Sequence, residues 1–333
     1  MRTKRPALAG LFFGNFHMEP WSSFWQQGHS TTFGHFFRGG YEGAVKDWWI
    51  ALLEPYSPSA DILDIGCGNG ALVIPTLEVL SAGTYSGVDL ANVEFSAPAN
   101  TKRKANPDFD AKLFSQTPAE SLPFANSSFD LASSIYGIEY SDITQSTAEI
   151  YRVLRKGGKF QALMHASESV ITDMTTRALG EYRDEDMAKI MDSLIAIDKE
   201  LNRLKDLARL KSSTKAEDAR ENLNKLASQY MSNLDPKTGN AIMVQFVGDA
   251  LKYFKILKQS AQVRLDYLQG LESEFAASRE RYIAMASAAK SADQIDGIVK
   301  SLKNIGFKNI TADLFYSDSE NKELAAWNIC ASK

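Results

Sequence analysis

Cysteine is nearly absent: Cys67 and Cys330 are the only two in 333 residues, too few for a disulfide framework and too few for a zinc cluster. Such sparing use suits a reducing cytoplasm. No apolar run approaches the ~20 residues that a membrane helix needs. The longest early one, Ala7 to Phe13 behind Arg2, Lys4 and Arg5, has the charge order of a signal peptide but no convincing small-residue cleavage site. A cytoplasmic chain without a membrane span is therefore expected. Excess basic charge is missing as well: the net charge is −4 and the pI is near 5.7. That balance argues against a nucleic-acid substrate while leaving a local basic patch open. His29 and His35 lack a matching acid pair, so no metal site is expected.

What is present falls into distinct textures. Residues 1–55 are rich in aromatics, including Trp21, Phe24, Trp25, Phe33, Phe36, Phe37, Trp48 and Trp49, and the stretch from Tyr41 to Leu53 reads as helix. Residues 56–166 alternate short apolar runs with helical patterns, the signature of βαβ units and a parallel sheet. The spacing predicts strands at Ile62–Ile65, Thr84–Val88, Ala111–Phe114, Phe129–Ser134 and Phe160–His165. Residues 167–290 read as almost wholly helical, interrupted only by Pro236 and a few glycines. Apolar residues recur there at heptad spacing from Met187 to Leu204 and from Phe254 to Phe275, which predicts two long helices packed on each other. In residues 291–333 a helix over Ala292–Asn304 ends at Gly306, and two strand-like runs, Asn309–Tyr316 and Leu324–Ala331, form a hairpin.

The fold class expected is α/β. An open, mostly parallel seven-stranded sheet ends in an antiparallel hairpin, carries an N-terminal helical lid, and is interrupted after strand five by a large helical insertion.

The strongest local signal is Ile62-Leu63-Asp64-Ile65-Gly66-Cys67-Gly68-Asn69-Gly70, an apolar strand running into a glycine loop with a helix starting near Ala71. Glycines let a backbone turn tightly and approach a ligand. The following helix start offers unpaired N–H groups and a positive dipole end to an anion such as a carboxylate. Asp64 could accept from a ligand ammonium. A second acid, Asp89, ends the run Tyr85-Ser86-Gly87-Val88-Asp89 about 20 residues on, where a ribose diol would be gripped. Gly66, Gly68 and Ala71 also satisfy the looser dinucleotide fingerprint, so the loop and Asp89 alone leave either cofactor open.

Further motifs separate them: Pro118-Ala119-Glu120-Ser121-Leu122-Pro123-Phe124, then Ser128-Phe129-Asp130-Leu131, then Glu149 and Arg152-Val153-Leu154-Arg155-Lys156-Gly157-Gly158-Lys159. The ordered series, over roughly Ala60 to Met164 plus the terminal hairpin, resembles the class I S-adenosylmethionine (SAM)-dependent methyltransferases. Within that family it resembles the small-molecule branch that includes ubiquinone/menaquinone-type enzymes. The resemblance implies SAM as cofactor. Asp64, Gly66, Gly68 and Gly70 would line its methionine end, Asp89 would hold the ribose, and Leu90 would pack on adenine. Ala119 stands where the family presents a backbone amide to adenine. Pro118 replaces a position that is often Asp in the family, which leaves Glu120 or a backbone carbonyl to accept from the adenine amino group. Cys67 in the loop and Ile135 at the end of strand four complete the cofactor set, and Arg38 could pair with the cofactor carboxylate.

The acceptor belongs at the carboxyl ends of the strands, where Tyr136, Glu139 and Tyr140 follow strand four and His165 ends strand five. Glu139 and Tyr140 stand where relatives place polar residues near the transferable methyl. His165 is either a general base, its ordinary pKa being near neutral, or a histidine that merely terminates a strand. Trp25 and Phe33 belong to an aromatic segment that reads either as a lid, attractive to a sulfonium cation, or as helices packed on the sheet edge. Neither cysteine is placed for cytosine-C5 methylation, and Ser134-Ile135-Tyr136-Gly137 stands in place of the Asn/Asp-Pro-Pro-aromatic motif of amino methylation. The expected function is methyl transfer to a small, partly apolar metabolite. The alternative is a SAM-binding interaction protein with little or no turnover, its insertion recruiting a partner. The insertion itself is either a cap on the acceptor pocket or a homodimerisation module.

Overall fold

The computed structural model describes residues 19–32, 40–235, 238–318, 320 and 323–333. The run Ala7–Phe13, together with Phe33, His35, Phe36, Phe37, Arg38 and Pro236, lies outside the described residues.

Helices α1 (Glu19–Gln26) and α2 (Gly43–Leu53) precede an alternating core: β1 (Ser59–Ile65), α3 (Val73–Val79), β2 (Ala82–Val88), α4 (Ala97–Lys104), β3 (Phe109–Phe114), β4 (Phe129–Ile135), α5 (Ile143–Val153) and β5 (Leu154–His165). A helical module follows, comprising α6 (Val170–Glu181), α7 (Asp184–Leu204), α8 (Leu207–Lys211), α9 (Thr214–Met231), α10 (Ala241–Lys252) and α11 (Ala261–Ala288). The core resumes with α12 (Ala292–Ile305), β6 (Lys308–Asp318) and β7 (Glu323–Ser332).

The seven strands form one sheet in the order β3-β2-β1-β4-β5-β7-β6. β1 to β5 run parallel, and β7 and β6 add antiparallel edges. The strand order reverses between β1 and β4, and an open sheet binds ligands at the carboxyl ends beside such a switch. Alternation along β1 sends Ile62 and Leu63 into two different clusters, one with α2, α3 and α4 and one with α5 and α12. Asp130 at the opposite end of β4 accepts from the Asp61 N–H at 2.9 Å and pairs with Arg155 at 2.7 Å, a brace on the sheet far from its carboxyl edge.

The helical module has a hydrophobic core of its own, running from Tyr182 to Phe275. A buried Asp198 ties three of its elements together by accepting from Arg264 Nε and Tyr253 Oη, both at 2.6 Å. The module differs from the hairpin of two long helices that the heptads predict. It contains six helices among the described residues, and α7 lies most extensively against α9 rather than α11. The second stripe is also broken: Phe254 sits in a 3-10 turn, and Ser260 caps a fresh helix by accepting from the Val263 N–H. A heptad reports which stripe of a helix is buried, and not which neighbour buries it.

The module leaves and rejoins the core at one point. Ala166 and Lys290 form a parallel bridge, Ser167 N donates to Lys290 O at 3.0 Å, and Lys290 N donates to His165 O at 2.8 Å.

Candidate active site

A cavity of about 470 Å³ opens at the carboxyl ends of β1, β2 and β4, within the size range usual for ligand pockets. Its floor is the glycine loop. Gly66, with φ +69°, lies so close to the next loop that a Cβ there would sit 2.7 Å from Gly137 Cα. Gly68, with φ +49°, faces the Trp25 ring, and a Cβ there would meet it at 2.6 Å. Both positions therefore exclude a side chain.

Asp89 closes the far side of the loop. Its Oδ2 accepts from Gly68 N at 2.9 Å and its Oδ1 from Ala91 N at 2.8 Å. Burial pushes its carboxyl up to about 6, against those two N–H groups that hold it down. Asp64 lies deeper, its carboxylate accepting from Tyr85 Oη; burial raises it to about 7, the tyrosine bond opposing the rise.

Of the residues singled out by sequence, Trp25, Gly66, Cys67, Gly68, Asp89, Leu90, Ala119, Glu120, Ile135, Tyr136 and Tyr140 line the cavity. Asp64, Gly70, Glu139 and His165 do not. Gly70 turns its open face to Phe95, and Glu120 Oε1 accepts from Asp142 N at 2.8 Å. Phe33 and Arg38 are outside the described residues. Trp21 and Tyr41, named in the sequence only as part of the aromatic region and as a helix start, also stand on the wall; the i, i+4 spacing of Trp21 and Trp25 on one helix face was the available signal for the first. Sequence reasoning passed over Asn69, which is buried and whose Nδ2 donates to Trp25 O at 2.7 Å and His29 O at 2.9 Å, while its Oδ1 accepts from Glu94 N at 3.1 Å. One side chain thus fastens the end of α1 to the glycine loop.

Behind Tyr136 and Tyr140 lies a polar cluster. Tyr136 adopts a left-handed backbone, φ +55°, which is costly for a bulky residue, and stacks its ring on His165 at 4.6 Å. His165 Nε2 is 3.2 Å from Tyr140 Oη, and its Nδ1 is 4.0 Å from Glu139 Oε1. That same oxygen accepts from His165 N at 2.8 Å. Glu139 Oε2 and His165 Nδ1 are buried without a hydrogen-bond partner among the described residues. Burial raises Glu139 to about 7, with the His165 N–H foremost among the opposing effects and the Lys290 cation a lesser one. Burial and then Lys290 lower His165 to about 3, so its imidazole stays neutral at physiological pH and can accept a hydrogen bond from Tyr140.

Helix α1 roofs the cavity. Trp21 meets Tyr140 edge-on at 5.8 Å, and α1 is held from above by α11, where Arg281 donates to Pro20 O at 3.1 Å. Among the described residues no three metal-binding side chains cluster, and no helix is long and apolar enough to cross a membrane.

Residues 63–162 match the family described as "Methyltransferase domain". The demethylmenaquinone methyltransferase of Porphyromonas gingivalis is 30% identical over 138 residues, 41% of this chain and 56% of that protein. A ubiquinone/menaquinone biosynthesis C-methyltransferase of Geotalea daltonii is 31% identical over 109 residues, 31% of this chain and 45% of that protein. The chain spans about half the length of these curated relatives. Among solved structures, a SAM-dependent methyltransferase of Thermotoga maritima, described as a possible histamine N-methyltransferase, aligns over 87% of this chain and 89% of its own at 12% identity and a TM-score of 0.35. Residues 63–162 thus form a methyltransferase domain similar to that of these quinone-related relatives.

Proposed function

We propose that the protein transfers a methyl group from SAM to a small, partly apolar acceptor. One observation carries the reading: a single cavity joins the glycine loop and Asp89 to Tyr136 and Tyr140 under an aromatic roof. The residues present suit the cofactor. The loop leaves room that side chains would fill, Asp89 keeps acceptor capacity for a diol, and Leu90, Ala119 and Ile135 supply apolar surface. Trp25 and Trp21 present π-faces of the kind that attract a sulfonium. The quinone-related names of the relatives fit a planar, apolar acceptor.

When bound, SAM supplies a methyl on a positively charged sulfur, displaced in line. The chain's part is alignment and exclusion of water. For an acceptor with a proton to lose, Tyr140 Oη is placed to accept a hydrogen bond from it while donating its own to the neutral His165 Nε2. His165, held neutral by burial and by Lys290, fixes the direction of that phenol.

Incubating the protein with methyl-labelled SAM and fractionated metabolite extracts tests the reading. Label in a small product is expected. SAM binding without label in any fraction, alongside capture of a protein partner by the helical module, would favour the interaction-protein alternative.

A further inference from the structure

Lys290 is the first core residue after the helical module, and it touches the acid-base cluster on two sides. Its backbone is stitched to the end of β5, with N donating to His165 O at 2.8 Å and O accepting from Ser167 N at 3.0 Å. Trp327 Nε1 donates to the same carbonyl at 3.1 Å, which fixes the residue against β7. Its half-buried side chain reaches across to Glu139, Nζ donating to the backbone oxygen at 3.3 Å. The groups facing Glu139 are His165, Tyr140, Tyr136 and Tyr41 besides Lys290. The three tyrosines are neutral, their phenols raised chiefly by burial. Lys290 is the charged partner of the cluster.

We infer that Lys290 is a positioning residue for the proposed methyl transfer, its ammonium favouring the carboxylate form of Glu139 behind His165 and linking that charge state to the seating of the helical module. A buried carboxylate without a compensating cation is expensive and protonates instead. With Lys290 in place, the cluster above about pH 7 consists of a carboxylate, a neutral imidazole and a phenol, the state in which Tyr140 can donate to His165. Because the cation is also the residue at which α11 returns to the sheet, a shift of the module would move the ammonium relative to Glu139. This inference rests on the acid-base reading given above, but it is tested without turnover.

The experiment uses the full-length chain labelled with ¹⁵N-histidine, with His165→Gln identifying the His165 resonances among the four histidines. In the wild type the His165 ring shifts should step near pH 7 as the neighbouring Glu139 ionises. Lys290→Gln keeps a donor for the Glu139 carbonyl and removes the charge, so the step should move upward by roughly one unit, as loss of a nearby opposite charge predicts. Lys290→Met should behave alike, and Lys290→Arg should restore the step. A step that stays in place in Lys290→Gln overturns the inference, as does an upward move in Lys290→Arg equal to that in Lys290→Gln. Should Lys290→Met fail to fold, the Gln and Arg variants still decide. If a methylated product is found, the rising limb of kcat against pH should follow the same step. Absence of any product would fail the proposed function and leave the histidine titration standing.

Discussion

Arg281 on α11 lies over the ring of Phe24 on α1, its guanidinium carbon 4.9 Å from the ring centre. The same side chain donates to Pro20 O at 3.1 Å, and Gln27 Nε2 adds a bond to Glu274 Oε2 at 2.6 Å. The helical module thereby grips the aromatic roof from outside while Asn69 grips it from the glycine loop. α1 is a strap held at both ends, and the cavity beneath it is assembled from segments far apart in sequence.

Arg281→Ala should loosen this strap. A cation–π contact and a hydrogen bond together are worth ~1–3 kcal/mol, so amide exchange over residues 19–28 should speed up roughly tenfold or more. SAM should leave faster by a similar factor. Exchange rates indistinguishable from wild type would show that α1 is held by the core alone.

Asp89 should govern both affinity for SAM and its pH dependence. Asp89→Ala removes a buried acceptor and frees the Gly68 and Ala91 N–H groups, so titration calorimetry should find binding weaker by ~1–3 kcal/mol. Burial raises the carboxyl to about 6, and in the proposed site ribose hydroxyls would donate to its charged form. Affinity should therefore weaken as pH falls through about 6, and Asp89→Asn should flatten that dependence. Unchanged affinity in the alanine variant would remove Asp89 from the cofactor site.

Much of this was legible beforehand, for identifiable reasons. The strands of the core are short apolar runs closed by glycine or acid, so Ile62–Ile65 and Thr84–Val88 announce themselves, and Asp89 sits at a strand end where polarity has no packing explanation. The roof was legible only as an aromatic cluster. That Trp25 lies on Gly68 depends on Asn69 bonding to Trp25 O and His29 O, and a tertiary bond from a side chain to a distant carbonyl leaves no pattern in sequence. Lys290 was invisible for a similar reason: its importance comes from a bridge to Ala166 across the entire module. The internal arrangement of the module was misread because α9, though rich in charge, still buries Ala216, Ala219, Leu223, Ala227 and Tyr230, a stripe mostly of alanine that is too weak to compete with the heptads on α7.

Asp64 should make the ligand-free protein less stable as pH rises. Its carboxyl is raised from 3.8 to about 7 in the fold, chiefly by burial, so between those values the folded protein holds a proton that the unfolded chain has released. The stabilising contribution is complete below about pH 4 and is lost as pH climbs through 7. Asp64→Asn keeps an acceptor for Tyr85 and cannot ionise. Urea denaturation should show the variant gaining on wild type between pH 5 and pH 8 by an amount on the order of 1–3 kcal/mol. Asp89 and Glu139 have the same sign, so a residual slope should remain in the variant. A gap that is constant with pH would mean that Asp64 is already ionised in the fold.

Deleting Glu181 to Ala284 and joining the ends with a short linker tests the division of labour between core and module. The ends are close enough for this: Arg279 near the end of α11 pairs with Asp184 at 2.8 Å and lies over the Tyr182 ring. The clusters that support the glycine loop draw nothing from the deleted segment, and the module's own core leaves with it intact. SAM binding should therefore survive in calorimetry. The deletion removes Arg281 and Glu274, however, so Trp21 and Trp25 lose their outer hold and the acceptor side opens to water. Lys290 remains, but α11 no longer sets its place beside Glu139. Methylation of the eventual acceptor should fall below detection while cofactor binding persists with faster release. Full turnover in the deleted protein would show that the module serves assembly, and the roof would then have to be held by Asn69 and the core alone.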